Sequence, residues 1–193
     1  MCTEIVKRRE RFKKHLDYSD LLTQYDVLST DRSDHIRVTD ADSDRTIVSM
    51  KRIRPYRDPP SALFDIPVGE SEMSARVLCT EHYEETRAHF ESETEHRLLS
   101  DHVMVFRDTL LNAHRDADEP CYGVMFAFVS SGLRGLLVLP EWSVALDVTS
   151  YDSVVFDISQ LHYSRVSRPI ENGLYRFVGY YNTDDALDCR RRT

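Results

Sequence analysis

Three residues have the types and spacing to do chemistry together. His114 and Asp116 stand in His114-Arg115-Asp116, and His162 follows in Leu161-His162-Tyr163. Two imidazoles and one carboxylate form the facial set that holds Fe(II) and leaves coordination positions open for exchanging ligands. The His-x-Asp pair alone is a weak signal. With 8 His and 33 Asp and Glu in the chain, about 1.4 His-x-acid pairs arise by chance. Others occur at His15-Leu16-Asp17, His82-Tyr83-Glu84 and His89-Phe90-Glu91. Those lie in stretches patterned as helix, where residues i and i+2 point apart. His114 and Asp116 instead follow a short strand-like run at 109–111, and at a strand end i and i+2 share a face. The competing reading is a solvated loop, since Asp118 and Glu119 come next.

Arg176 adds a further chemical group. It sits in Gly173-Leu174-Tyr175-Arg176-Phe177-Val178-Gly179-Tyr180-Tyr181, downstream of His162. A charge inside an aromatic strand needs a partner when buried, and a guanidinium fork suits a carboxylate. A salt bridge to a neighbouring acid, or a solvent-facing Arg, is the plain alternative.

The elements that must position these groups change character near residue 102. Beyond it, short runs rich in Val, Phe, Tyr and Leu recur at 103–106, 109–111, 122–129, 136–139, 144–148, 154–158, 161–166 and 174–181. They are separated by Gly132, Gly135, Pro140, Asp152, Pro169 and Asn172-Gly173. Some eight strands at roughly ten-residue spacing predict a sandwich or barrel rather than a parallel α/β sheet. Before residue 102 the pattern is mixed. Ile5, Phe12, Leu16, Leu21 and Leu22 have spacings that predict one or two amphipathic helices over 3–25. Short strands are expected at 35–38 and 46–48, and the acidic stretch 70–101 reads as helix. Pro59-Pro60 interrupts any helix or central strand. The expected class is α+β, with residues 1–101 a helical and irregular support, 102–182 a β-rich core and 183–193 a polar tail. The whole reads as one domain, in keeping with 193 residues.

Composition removes several function classes. Hydrophobic residues at 41% supply a core, so the chain is not disordered throughout. A net charge of −8 argues against a bulk electrostatic nucleic-acid coat. Cys2, Cys79, Cys121 and Cys189 form no Cys-x-x-Cys pair, which argues against a zinc ribbon or a disulfide scaffold and favours a reducing compartment. No apolar run approaches the ~20 residues needed to span a bilayer, and no signal peptide is visible. A soluble, intracellular protein of cytoplasm or nucleus is expected.

In combination these parts resemble the Fe(II)/2-oxoglutarate-dependent dioxygenases, and most of all the TET/JBP-type nucleobase oxygenases and their small fungal relatives. The resemblance runs from about Val103 to Asn182. It rests on 112–116, 121–129, Gly135-Leu136-Leu137-Val138-Leu139-Pro140-Glu141, Leu146-Asp147-Val148, 152–156, His162 and Arg176–Tyr181. It implies a double-stranded β-helix (jelly-roll) core with helices packed outside. It implies His114, Asp116 and His162 as the Fe(II) ligands, and Arg176 as anchor for the distal carboxylate of 2-oxoglutarate. The reaction implied is hydroxylation of a C–H bond with consumption of 2-oxoglutarate and O2. Relatives have Gly-Gly where this chain has Arg134-Gly135, Gly-Asp where it has Tyr151-Asp152, and often Ser where it has Val178. These departures touch cofactor affinity and loop shape, and remove no metal ligand.

The substrate implied is a methyl group on 5-methylcytosine or thymine, flipped out of the duplex. Phosphate contacts would come from the basic clusters Lys7–Lys14 and Lys51–Arg57, with Arg190-Arg191-Arg192 behind them. Ordinary solvated charge is the alternative for each cluster. Tyr122, Trp142 and Tyr163 are candidates for stacking a base, or for packing alone. Other readings keep the chemistry on a protein side chain or a small metabolite, or make the chain an inactive jelly-roll binding module. Cysteine chemistry at Cys121 lacks a convincing activating neighbour.

Overall fold

A computed structural model describes residues 1–12, 16–53, 69–74, 81–94, 96–98, 102–107, 110–118, 121–129, 134–149, 152–167 and 175–180. Twelve strands and two α-helices are seen among them: β1 (Cys2–Lys7), α1 (Tyr18–Gln24), β2 (Asp26–Leu28), β3 (His35–Asp40), β4 (Thr46–Arg52), β5 (Gly69–Ser74), α2 (Glu81–Thr94), β6 (His102–Arg107), β7 (Tyr122–Val129), β8 (Gly135–Leu139), β9 (Val144–Val148), β10 (Asp152–Asp157), β11 (Tyr163–Val166) and β12 (Tyr175–Tyr180). They form two sheets. One has eight strands in the order β1-β3-β4-β10-β7-β12-β6-β5; the other has four, in the order β11-β8-β9-β2.

The smaller sheet shows why these residues are strands. Leu136, Leu137, Val138 and Leu139 in β8 are all buried, so both faces of the strand are covered. Leu137, Leu139, Val144, Leu146 and Val148 point to the space between the sheets. There they meet Ile36, Val38, Val48, Met50, Met125, Val154 and Phe156 of the larger sheet. Leu136, Val138, Ala145 and Tyr163 point the other way, onto Leu16 and Leu21. A 3-10 turn, Pro140–Trp142, joins β8 to β9 and closes with Ser143 at φ 52°. Proline at the turn's first position supplies the required φ.

The outer face of the larger sheet carries α2 over a polar layer. His89 lies fully buried between Ser49 of β4 and Ser153 of β10, with each ring nitrogen 2.9 Å from one hydroxyl. Glu93 receives both arms of Arg37 from β3, at 2.8 and 3.0 Å, and lies 3.3 Å from His35. A buried polar layer of this kind is stable only when its members are paired.

The support region differs from expectation. The strands at 35–38 and 46–48 are present as β3 and β4, but the first twenty-five residues are not chiefly helical. Cys2–Lys7 is a strand pairing parallel with β3, and among the described residues of this segment the helix is Tyr18–Gln24, capped by Asp17 accepting from Asp20 N at 2.9 Å. Thr3, Ile5 and Val6 favour the extended form, and the charges between them suit an edge strand. Among the described residues of the acidic stretch, Glu81–Thr94 is helix, and Gly69–Ser74 is the opposite edge strand, paired with β6. Lys13, Lys14, His15, Arg54–Arg57, Pro59-Pro60 and the tail 183–193 lie outside the described residues.

Downstream, the runs predicted at 122–129 and 144–148 are strands with those bounds, and the others agree within two residues. The exception is 109–111. Residues 110–113 form no regular strand, because Ser164 replaces a ladder acceptor: Leu111 N donates to its side-chain hydroxyl at 2.6 Å, while Ser164 N donates to Leu111 O at 3.1 Å.

Candidate metal centre

His114 and His162 are joined through their backbones. His114 N donates to His162 O at 3.1 Å, and His162 N donates to His114 O at 3.0 Å, an isolated antiparallel bridge. Asp116 N donates to Ile158 O at 3.0 Å, which lays the His-x-Asp segment along the turn that precedes His162. The ring centroids of the two histidines are 4.4 Å apart. Asp116 faces both: its Oδ1 lies 3.4 Å from His114 Nε2 and its Oδ2 lies 3.5 Å from His162 Nε2. The three residues predicted from the sequence as a ligand set thus have donor atoms all within 4.8 Å of one another.

The orientation of each imidazole is set from behind. His114 Nδ1 donates to Asn112 O at 2.6 Å, and His162 Nδ1 donates to Gln160 O at 2.9 Å. A carbonyl can only accept, so each ring in its neutral form carries its proton on Nδ1 and turns the Nε2 lone pair to Asp116. In that form two lone pairs and a carboxylate converge, which is the electrostatics of a cation site; without a cation, a proton on His114 Nε2 bridges to Asp116 instead. Asp116 raises the pKa of His114 through its hydrogen bond, against partial burial. Burial lowers that of His162 and outweighs its bond to Gln160 and the charge of Asp116. Phe156 packs edge-on against the His162 ring, with centroids 5.0 Å apart.

Exposure is uneven across the set. The His162 side chain is 2% exposed, Asp116 27% and His114 38%. The centre therefore has a closed back, formed by the core around Phe156, and an open side at His114 and Asp116. That is the arrangement a metal with exchangeable ligands needs.

A second group, His35, His89 and Glu93, also brings its donor atoms within 4.8 Å. Its chemistry is different. Both ring nitrogens of His89 are taken by serine hydroxyls, and Glu93 is held by a guanidinium. Burial pushes the pKa of His89 down to about 3. Burial alone would raise that of Glu93, but the hydrogen bonds from His35 and Arg37 outweigh it and hold it at about 2. The group is a completed packing layer under α2. His89-Phe90-Glu91, a His-x-acid pair in the sequence, contributes only its histidine here.

The other predicted residues are distributed as follows. Trp142 is buried, with Nε1 donating to Gln160 Oε1 at 3.2 Å. Tyr122 donates to Thr46 O at 2.7 Å. Tyr163 is buried against Leu16 and Leu21, on the far side of the smaller sheet, with Arg165 over its ring. All three take the packing role. Cys121 lies in the core between the sheets. Of the first basic cluster, Lys7 pairs with Asp26, Arg8 with Asp42 at 3.8 Å and Arg9 with Glu141 at 3.0 Å. In the second, Arg52 pairs with Asp31 at 2.8 Å. Arg176 lies in β12, opposite Arg107 of β6 and Phe128 of β7. No described helix is long and apolar enough to cross a membrane.

Sequence reasoning missed the supports of the site. Asp157 is fully buried and binds Arg45 at 2.8 Å, Cys121 N at 3.2 Å, Ser159 Oγ at 2.7 Å and Gln160 Nε2 at 2.9 Å. It thereby shapes the turn whose Gln160 carbonyl orients His162. An acid ending an apolar strand was the one available signal.

No family profile matches this sequence, and no curated protein matches it. Among solved structures, a complex of NgTET1 with 5mC DNA is similar at TM-score 0.43 and 10% identity, covering 92% of this chain and 100% of that one. An oxidoreductase of the 2OG-Fe(II) oxygenase family from Burkholderia pseudomallei is similar at TM-score 0.42 and 11% identity, covering 93% and 94%. With likeness this distant, the functional reading rests on strand order and site geometry.

Proposed function

We propose that this chain is a jelly-roll metalloenzyme of the Fe(II)/2-oxoglutarate-dependent dioxygenase class. The observation that carries the reading is the convergence of His114 Nε2, His162 Nε2 and Asp116 on one point, with both Nδ1 protons engaged behind. Strand order supports it. Let β6, the 110–116 segment and β7 to β12 be strands one to eight. The larger sheet then contains the order six-three-eight-one, and the smaller contains seven-four-five with strand two attached at the His114–His162 bridge. That interleaving is the one a double-stranded jelly roll has, and it supports the reading. β1 to β5 extend its sheets.

His114, Asp116 and His162 would hold Fe(II). When bound, the metal with 2-oxoglutarate and O2 supplies the oxidising power that converts C–H to C–OH, with succinate and carbon dioxide as co-products. The chain's own part is to fix three ligands, keep the His162 side dry and leave the His114 side open. Arg176 is assigned as anchor of the distal 2-oxoglutarate carboxylate, on the motif.

More particularly, the reading is oxidation of a methyl group on a nucleic-acid base, 5-methylcytosine or thymine. The resemblance of the 112–181 motifs supports it. One observation favours a second reading, a protein side chain or small metabolite: Lys7, Arg8, Arg9 and Arg52 are engaged in ion pairs within the chain, which diminishes a phosphate-binding surface.

The test is anaerobic titration of Fe(II) and 2-oxoglutarate into the purified protein, followed by visible absorption. A charge-transfer band that disappears in His162→Ala is expected. No band at millimolar 2-oxoglutarate would reduce the likeness to one of fold. Succinate release with methylated oligonucleotides, against release with peptides or metabolites, then separates the substrate readings.

A further inference from the structure

We propose that Glu141 is a positioning residue for the metal centre, and that the N-terminal segment is part of the same device through Arg9. The proposal rests on the metal-centre reading above and extends it to residues outside the ligand set.

The middle residue of His114-Arg115-Asp116 does not face solvent idly. Arg115 Nη2 donates to Glu141 Oε2 at 2.6 Å, and Arg115 Nη1 donates to Ser159 O at 2.6 Å. Ser159 immediately precedes Gln160, whose carbonyl takes the Nδ1 proton of His162. One guanidinium therefore ties the segment carrying His114 and Asp116 to the turn that aims His162. Glu141 fixes that guanidinium and is fixed in turn from the other side. Arg9 Nη2 lies 3.0 Å from both of its carboxylate oxygens, and Glu10 N donates to Glu141 O at 2.6 Å. The Glu141 side chain is only 11% exposed, so these charge-assisted bonds are partly shielded from water. Glu141 itself stands in the rigid Pro140–Trp142 turn, next to Trp142, which binds Gln160. Every part of the device converges on the two segments that supply ligands.

Outer partners that orient ligands typically change metal affinity by about 10–100-fold. The probe is Co(II), titrated into the full chain and read by its visible d–d absorption, with thermal melting in parallel. Wild type should bind, and His162→Ala should not. Glu141→Gln and Arg115→Gln should each weaken Co(II) binding by about tenfold or more, and Arg9→Gln should weaken it less. Arg115→Gln separates positioning from simple charge. Removing a cation near the metal tightens binding if electrostatics alone is at work, and loosens it if Arg115 positions the ligands. Unchanged or tighter binding in Arg115→Gln overturns the proposal, while the site reading stands on wild type and His162→Ala. Absence of a His162-dependent Co(II) spectrum in wild type overturns both. Should Glu141→Gln fail to fold, Arg115→Gln and Arg9→Gln carry the test unaided.

Discussion

His114 and His162 exchange two backbone hydrogen bonds, at 3.1 and 3.0 Å, so the distance between the two imidazoles is set by the main chain. A side-chain substitution at either position leaves that bridge in place. His114→Ala should therefore melt within a few degrees of wild type while losing Fe(II)- and 2-oxoglutarate-dependent succinate release. The His114 ring is more than a third exposed, and loss of an exposed ring costs little packing. Circular dichroism melts alongside a succinate assay check both halves. Retained turnover would remove His114 from the ligand set.

Asp157 should be the costlier loss, although it touches no metal. Asp157→Asn keeps the shape but surrenders the charge facing Arg45 and alters the acceptor that Cys121 N and Ser159 share. Breaking a buried charged pair costs about 3–5 kcal/mol. Urea unfolding should show a fall of that order in stability. A change under about 1 kcal/mol would mean that the turn holds its shape without the carboxylate.

The polar layer under α2 sets the response to acid. His89 is held neutral by burial, with a folded pKa of about 3 against an unfolded 6.5. Glu93 is held charged, at about 2 against 4.5. Both folded values lie below the unfolded ones, so the unfolded chain binds more protons and stability falls as pH falls. The His89 contribution is complete above about pH 6.5 and is lost progressively towards 3; that of Glu93 is complete above about 4.5 and is lost towards 2. Melting temperature should drop steadily from pH 7 to 5, on the His89 limb, and more steeply below 4.5. His89→Gln should flatten the upper limb. A melting temperature independent of pH between 7 and 5 would contradict this account.

The strands after residue 102 were legible because most are runs of Val, Leu, Phe or Tyr set between glycine, proline or acidic residues, and β8 is apolar on both faces. That His114, Asp116 and His162 meet in space was legible from the order of the motifs around them, since the His-x-acid spacing alone recurs elsewhere in the chain. β1 was not, since Glu4 and Lys7 break its apolar signal and an edge strand needs little of one. Nor was the layer of His35, Arg37, Ser49, His89, Glu93 and Ser153, whose members come from four elements far apart in sequence and meet only when α2 docks. Arg9 read as part of a basic cluster, and its partner Glu141 read only as the end of a turn; their pairing depends on where β1 delivers the chain.

Arg176 is the assignment on which motif and strand register pull apart. In β12 it pairs with Phe128, while Gly179 pairs with Met125. Met125 pairs with Val154 and belongs to the core between the sheets, whereas Ser153, opposite Phe126, is bound to His89 under α2. Residues alternate between faces along a strand. Arg176 thus stands at a register position of the α2 row, and Phe177 and Gly179 stand in the row of the core. A charge-assisted contact to a carboxylate is worth about 1.5–3 kcal/mol, so an anchoring Arg176 predicts that Arg176→Ala raises the 2-oxoglutarate requirement by an order of magnitude or more, without loss of fold. If the register governs instead, the same variant should lower thermal stability and leave the 2-oxoglutarate dependence unchanged. Succinate release against 2-oxoglutarate concentration, with a melt on the same sample, decides which of the two holds the cation.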